Sequence, residues 1–225
     1  MSLLRRRGIL SVPSGTPTPP PTSPVLADYT TTVAASGTNT LAFPATINSG
    51  DLLVIMVATR SANEPTFSDG DWTKRITQQG TEGRIDVWSM TADGTETGTV
   101  SITHGLRVIM HMLRITGAAS ATYGYGLSYG TSSDQVQTGA EGAGANGDLQ
   151  VMLAAGTNTA IATVSVWPSG GTTLEDNATG GSTSLAGSLG SRVMDGPLSA
   201  TVADRSVTFD SDTRGRVAGS VFATG

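Results

Sequence analysis

The side chains best suited to metal binding or proton transfer are few in this chain. It has two histidines, His104 and His111, and no cysteine. Because a zinc site takes three or four nitrogen, sulfur or oxygen ligands, this inventory argues against zinc. His111 lies in an apolar run, where strand alternation places it on one face with Ile109 and Leu113. We therefore expect a structural histidine rather than a ligand.

Carboxylates cluster in the segment Ser68-Asp69-Gly70-Asp71-Trp72. Alternating aspartates around a glycine could bind calcium through oxygen, but the rest of an EF-hand loop is missing. The simpler interpretation is an Asp-Gly turn that presents Trp72 to the core. No serine sits in a Gly-x-Ser-x-Gly elbow between a strand and a helix. The sequence thus predicts no enzymatic activity, no metal and no cofactor.

Three of the four tyrosines occur together in the segment 123–129. Their spacing places Tyr123, Tyr125 and Tyr129 on one face of a strand, with glycines on the other. Such a face suits a subunit interface or the stacking of sugars. It could equally belong to a linking strand whose tyrosines cover a sheet edge, so the three interpretations stay open.

Composition favours an all-β protein and argues against membranes and nucleic acid as partners. Charged residues make up 14% of the chain, glycine contributes 29 residues, and apolar content is 37% in clean runs. This profile is typical of short strands and tight turns rather than disorder. The net charge of -5 disfavours nucleic acid. The apolar runs are too short for a signal peptide or for the roughly 20 residues that cross a bilayer.

The body of the chain repeats itself. Gly50-Asp51 before an apolar strand has a counterpart in Gly147-Asp148, and Trp72 has one in Trp167. Further matches pair Arg84-Ile85 with Arg192-Val193, residues 99–102 with 206–209, and 107–117 with 216–225. We therefore expect two similar halves, at about 41–118 and 145–225, linked by 119–144.

Within the repeats the apolar pattern has the period of two that is typical of strands. Ile85 and Val87 fall on one face of a strand, and Trp88 and Met90 on the other, so both faces are expected to be covered. No segment carries a sustained helical period. Residues 26–225 are predicted to form an antiparallel β-sandwich or jelly roll. One sandwich is favoured over two lobes, because each half alone would be small and rich in glycine.

Residues 1–25 differ from this body. The segment opens with an apolar and basic stretch and continues with six of the ten prolines. Since proline fixes φ and donates no backbone hydrogen bond, an extended arm is predicted. Such an arm becomes ordered by lying on a partner, so we expect it to anchor the chain in a large assembly. Its expected contact residues are Leu3, Leu4, Arg5, Arg6, Arg7, Ile9 and Leu10.

The first half combines a Gly-Asp-initiated apolar strand, a loop with a tryptophan, an aromatic strand that ends in a turn, and a closing strand that ends in glycine. These features are carried by Gly50, Asp51, Trp72, Trp88, Asp93, Gly94 and Gly117. The pattern resembles β-sandwich proteins encoded in bacteriophage and prophage structural gene clusters. The second half departs from it, since no aromatic strand matches Trp88 and the segment 194–197 falls there.

The resemblance implies a virion component with no catalytic residue. We expect a capsid decoration or cement protein on the exterior of the head, whose arm binds the major capsid protein or another virion protein. The body would form a homo-oligomer, with a trimer favoured. The alternative is a tail, fibre or spike module that binds host surface glycans through its loops or the tyrosine face. A polysaccharide depolymerase is disfavoured by the sparse titratable residues.

Overall fold

A computed structural model describes residues 23–60, 63–67, 70–80, 83–128, 135–137, 145–158, 164–168, 170–178, 184–194, 206–209 and 214–225. Within these residues the chain forms sixteen strands and no helix. The strand pairs are antiparallel throughout, which confirms the predicted all-β sandwich. No helix in this part of the chain could cross a membrane.

The first half of the chain contains eight strands in two sheets. A five-stranded sheet has the order β1-β8-β3-β6-β5, and a three-stranded sheet has the order β2-β7-β4. Successive strands thus alternate between the two sheets of a jelly roll, except for β5 and β6, which are neighbours in the large sheet. The strands are β1 (Val25–Ala34), β2 (Gly37–Ala42), β3 (Leu52–Thr59), β4 (Thr66–Phe67), β5 (Thr73–Gln79), β6 (Arg84–Thr91), β7 (Thr99–His104) and β8 (Val108–Thr116).

The second half repeats this arrangement strand for strand. Its five-stranded sheet has the order β9-β16-β11-β14-β13, and its three-stranded sheet has the order β10-β15-β12. The chain is therefore a tandem pair of jelly rolls. The strands are β9 (Ser120–Ser128), β10 (Gln135–Gln137), β11 (Leu149–Asn158), β12 (Val164–Val166), β13 (Thr172–Ala178), β14 (Ser184–Val193), β15 (Ser206–Phe209) and β16 (Arg214–Thr224).

The structural repeat is longer than the predicted segments 41–118 and 145–225. Strands β1 and β2 begin the first jelly roll before residue 41, and β9 and β10 begin the second one inside the predicted linker 119–144. The two halves are therefore connected by residues 117–119 alone, between β8 and β9.

The two five-stranded sheets pack face to face, and their facing side chains form the central core. Strand β3 lies against β11, β6 against β16, β8 against β14, and β5 against β9. Each jelly roll places its three-stranded sheet on the outer side. The large sheets of the two halves thus share one core, while each half also closes a sandwich of its own. The central core includes Val54, Met56, Ile85, Val87, Val151, Leu153, Val217 and Val221.

Because the five-stranded sheets are covered on both faces, the central strands β3 and β8 are largely apolar on both sides. In β6, Ile85 and Val87 face the other half, whereas Trp88 and Met90 face the three-stranded sheet of their own half. The predicted faces of this strand are confirmed. The near-continuous apolar run of β3 has the same origin.

The two Gly-Asp turns, before β3 and before β11, occupy the same position in the two halves. From there, the pairing registers of β6 with β3 and of β14 with β11 show which residues of β6 and β14 are equivalent. On this count Arg84 is equivalent to Ala186, and Arg192 is equivalent to Met90. The predicted match of the two arginines is therefore wrong. That match placed Arg84, at the beginning of β6, opposite Arg192, near the end of β14. An arginine followed by one apolar residue does not show where along a strand it lies, so the sequence alone could not correct the match.

The equivalent of Trp88 is Gly190, rather than the segment that begins at Met194. A Cβ atom at Gly190 would lie 2.7 Å from ring atoms of Trp167, so the indole packs directly on this glycine. In the first half, Phe67 packs on Trp88 with 4.2 Å between ring centroids. The second half therefore fills the same space from a loop instead of from the strand.

Both Gly-Asp motifs build the same turn before a central strand. Gly50 and Gly147 have φ angles of 91° and 86°, in the left-handed region that favours glycine. Asp51 Oδ2 and Asp148 Oδ2 each accept a hydrogen bond from the backbone N–H three residues earlier, at 2.8 and 2.6 Å. The repeated motif is thus a structural turn.

Candidate functional site

The tyrosine-rich strand β9 forms one edge of the second large sheet and lies against β5 of the first half. The Tyr123 hydroxyl donates to Ser89 Oγ of β6 at 2.8 Å. Arg75 Nε donates to the same oxygen at 2.9 Å, and the Arg75 guanidinium lies 5.6 Å from the Tyr123 ring centroid. Tyr123 therefore belongs to the contact between the two halves.

The other two tyrosines have different surroundings. Tyr125 is 51% exposed, and Tyr129 lies outside the described residues. The segment 126–130 also reads Gly-Leu-Ser-Tyr-Gly, and its Ser128 is the last residue of β9. The predicted face of three tyrosines thus contributes one exposed ring among the described residues.

The sequence analysis missed a tyrosine that matches Tyr123. Register places Tyr29 of β1 at the equivalent position, because Tyr29 pairs with Leu113 as Tyr123 pairs with Val221. The Tyr29 hydroxyl donates to the Leu174 carbonyl oxygen of β13 at 3.4 Å. Each half therefore contacts the other through an equivalent tyrosine on its first strand.

A cleft of about 730 Å³ opens beside Arg75 and Ser89. Sequence reasoning did not find it, since its lining comes from three separate stretches of the chain. Hydroxyls and carboxylates dominate this lining, a chemistry that can hydrogen-bond a polyol. The cleft is lined by Phe43, Asp71, Thr73, Arg75, Ser89, Met90, Thr91, Asp93, Thr95, Glu96 and Thr97.

The carboxylates at the rim of this cleft serve the local turn. Glu96 accepts the backbone N–H groups of Asp93 at 2.7 Å and of Gly94 at 3.0 Å. Asp93 Oδ1 accepts the Thr95 backbone N–H at 2.8 Å and its hydroxyl at 2.6 Å. These hydrogen bonds from Thr95 lower the pKa of Asp93, so this group stays ionised and is unsuited to act as a general acid.

Trp72, which the Asp-Gly segment was predicted to present to the core, lies in the core. Trp72 is buried in the core beneath the three-stranded sheet and stacks on Phe43, with 6.4 Å between centroids. Asp71 is exposed and Asp69 lies outside the described residues. Among the described side chains, no three of histidine, aspartate and glutamate come together as metal ligands.

Both histidines are buried, with different hydrogen bonding. The ring nitrogens of His104 contact Asn39 Nδ2, at 3.1 Å, and the Leu106 carbonyl oxygen. His111 Nδ1 lies 3.0 Å from Thr31 Oγ1. His111 faces the central core beside Ile109 and Leu113, as its strand position predicted. Burial lowers the pKa of His111 to about 4.

The first described residues, from which the predicted arm would extend, lie at one end of the molecule. Ser23 and Pro24 line a hollow of about 220 Å³ together with residues 145–148 and 224–225. The Ala119 N–H donates to the Thr224 carbonyl at 2.7 Å, which brings the connection between the halves to the same end. We call these residues the arm end. Turns 35–36 and 105–107 lie at the other ends of the strands.

The predicted contact residues of the arm (Leu3, Leu4, Arg5, Arg6, Arg7, Ile9 and Leu10) lie outside the described residues. No family model matches the chain, and no curated protein or solved structure does. A functional assignment therefore depends on the fold and on the contacts described above.

Proposed function

We propose that the protein is a structural component of a phage-like virion, most simply a capsid decoration or cement protein held by its N-terminal arm. The observation that carries this proposal is the junction of the arm with the body. Residues 23–24 leave the body at the arm end, beside the C-terminus. An arm that follows a capsid surface from there would leave the far ends of both jelly rolls projecting outward.

The tandem jelly roll supports the same role. Jelly rolls are a recurrent architecture of viral capsid and lectin domains, and this support is an analogy of fold. The two rolls share a continuous core between their large sheets. The body is thus suited to act as one rigid unit that tolerates exposure on a particle.

The proposal assigns no reaction to the chain. Two arginines that are largely buried pair with aspartates of the fold: Arg84 Nε donates to Asp86 Oδ2 at 2.5 Å, and Arg114 Nε donates to Asp51 Oδ2 at 2.6 Å. The affinity of a small body with one arm for the particle rises when several copies bind together as an oligomer. Homo-oligomerisation, for example as a trimer on a local threefold of the shell, would supply that avidity.

The direct test compares the full chain with a variant that lacks residues 1–22. Both are added to particles from which the protein has been removed, and bound protein is measured after sedimentation. We expect the truncated chain to keep the thermal stability of the full chain and to lose binding. A truncated chain that still sediments with particles, or that unfolds, would contradict the division between arm and body. The matched control replaces Arg5, Arg6 and Arg7 with glutamine. It separates the contribution of the arginine charges to binding from that of the apolar residues of the arm.

The cleft beside Arg75 supports a second candidate, a tail or fibre module that binds host glycans. Its hydroxyls and carboxylates suit a sugar, and Phe43 supplies an aromatic ring. Gly94, in the turn that forms its rim, lies against Ser49 next to the Gly50-Asp51 turn. The cleft thus opens near the arm end, so the molecule would meet its host with the end that carries the arm. A glycan array that stays silent at high protein concentration would exclude this candidate.

A further inference from the structure

A chain of three polar side chains crosses the contact between the two jelly rolls. His111 of β8 and Thr31 of β1 belong to the first half, and Glu175 of β13 belongs to the second. Thr31 Oγ1 lies 3.0 Å from His111 Nδ1 and 2.6 Å from Glu175 Oε2. The histidine is fully buried. Few other polar links between the halves are seen among the described residues, and this one ends in the central core.

The hydrogen bonds determine which ring nitrogen carries the proton. Thr31 has one hydroxyl proton, and it donates this proton to Glu175 Oε2. His111 Nδ1 must then donate its own N–H to Thr31 Oγ1. The other nitrogen, Nε2, is left with a bare lone pair, and it has no hydrogen-bond partner within the part of the chain that the structure describes.

The surroundings of His111 offer little to a positive charge. In its own sheet it pairs with Met56 of β3, and β14, which packs against β8, contributes Leu185 and Leu189 to the central core. The titratable groups that face it from β1 and β13 are Tyr29 and Glu175. Glu175 is the one charged group on these packed faces among the described residues, and Thr31 stands between it and the ring.

We propose that His111 is a proton-sensitive lock between the jelly rolls: neutral, it keeps β1 and β8 closed on β13, and its protonation loosens this contact. The step is the addition of a proton from solvent to Nε2. The imidazolium then has an N–H group without an acceptor in an apolar core, and hydrating it requires the two sheets to part at this edge. Burial lowers the pKa of His111 to about 4, so the lock holds at neutral pH and opens in acid. This inference does not depend on the virion role.

The test is hydrogen exchange of the full chain at pH 6.5 and pH 4.5, corrected for intrinsic exchange rates. If opening restores the ordinary pKa of 6.5 to a ring whose folded value is about 4, the opening equilibrium rises about 40-fold between these two pH values. We expect a loss of protection of that order in β1, β8 and β13, and a much smaller change in β7, which lies outside this contact.

Two substitutions and one spectroscopic readout complete the test. His111→Gln cannot be protonated, so its exchange in β8 and β13 should be nearly independent of pH. His104→Gln is the matched control, and it should keep the pH dependence of the wild type. In the wild type, the NMR signal of the His111 ring should titrate far below 6.5, whereas protection should be lost progressively as the pH falls below 6.5. A His111 signal that titrates near 6.5 with protection unchanged, or equal pH dependence in His111→Gln, would overturn the proposal.

Discussion

Tyr29 and Tyr123 occupy equivalent positions in the two jelly rolls, and each extends its hydroxyl to the opposite half. Tyr29 donates to the Leu174 carbonyl oxygen at 3.4 Å, and Tyr123 donates to Ser89 Oγ at 2.8 Å. The strand contacts show the same symmetry: β6 lies against β16, and their equivalents in the opposite halves, β14 and β8, lie against each other. The halves are therefore related like the subunits of an isologous dimer, with the same surface used on both sides.

Removing one of these hydroxyls should weaken the contact measurably. Tyr123→Phe keeps the ring beneath Arg75 and removes the donor to Ser89, which is almost fully buried. We expect a loss of about 1 kcal/mol in the free energy of unfolding, measured by urea denaturation. Tyr125→Phe, at an exposed position, should change stability by less than about 0.5 kcal/mol. Equal effects of the two substitutions would show that Tyr123 does not join the halves.

Close packing between the large sheets gives a second prediction. A Cβ atom at Gly219 of β16 would lie 2.9 Å from Ile85 Cγ1 and 3.3 Å from Val87 Cγ2, both on β6 of the other half. Gly219→Ala should therefore destabilise the protein by about 1–3 kcal/mol, since the sheets would have to shift. Gly70→Ala is the control, because a Cβ there would meet nothing within 4 Å. Unchanged stability in Gly219→Ala would indicate looser packing between the halves.

The two Gly-Asp turns should differ in their sensitivity to substitution. Asp148 Oδ2 accepts one backbone N–H, whereas Asp51 Oδ2 accepts a backbone N–H and the Nε of Arg114. We expect Asp148→Ala to cost about 1 kcal/mol and Asp51→Ala about 2–4 kcal/mol, because the latter also leaves a largely buried guanidinium without this carboxylate. Adding Arg114→Ala to Asp51→Ala should recover part of the loss in thermal unfolding. Additive effects of the two substitutions would show that the pair does not interact.

The free energy of unfolding should depend on pH through His111. Burial lowers its pKa from 6.5 to about 4, so the unfolded chain binds this proton more readily than the folded one. The contribution is complete above pH 6.5 and declines as pH falls towards 4, by about 3 kcal/mol in total. Urea unfolding of the wild type and of His111→Gln across this window isolates the contribution of His111, because the carboxylates contribute to the pH dependence of both proteins. Parallel curves for the two proteins would contradict the assignment.

Features encoded locally were predicted well from the sequence. The alternation of Ile85, Val87, Trp88 and Met90 depends only on the period of a strand, and the structure confirms both faces. The matching Gly-Asp turns were visible because a left-handed glycine and a capping carboxylate require particular residue types. These two signals were enough to predict an antiparallel sandwich of two similar halves.

Features that arise from pairing over long distances were not predictable. Strands β1 and β9 are equivalent, but they share little beyond Tyr29 and Tyr123, and a register shift between Leu26 and Asp28 alters the spacing in β1. The cleft beside Arg75 combines residues from 43 to 97. The link from His111 to Glu175 joins strands of different halves. None of these juxtapositions leaves a periodic signal in the sequence.

The central claim, that the chain decorates the head of a virion and is held there by its arm, is tested most directly by locating the protein on intact particles. An affinity-tagged copy would be labelled with gold and viewed by negative-stain microscopy, with a tagged variant lacking residues 1–22 as the control. The account predicts label spread over the head for the full chain and none for the truncated chain. Label confined to the tail, or an absence of label from the particles of the full chain, would contradict it.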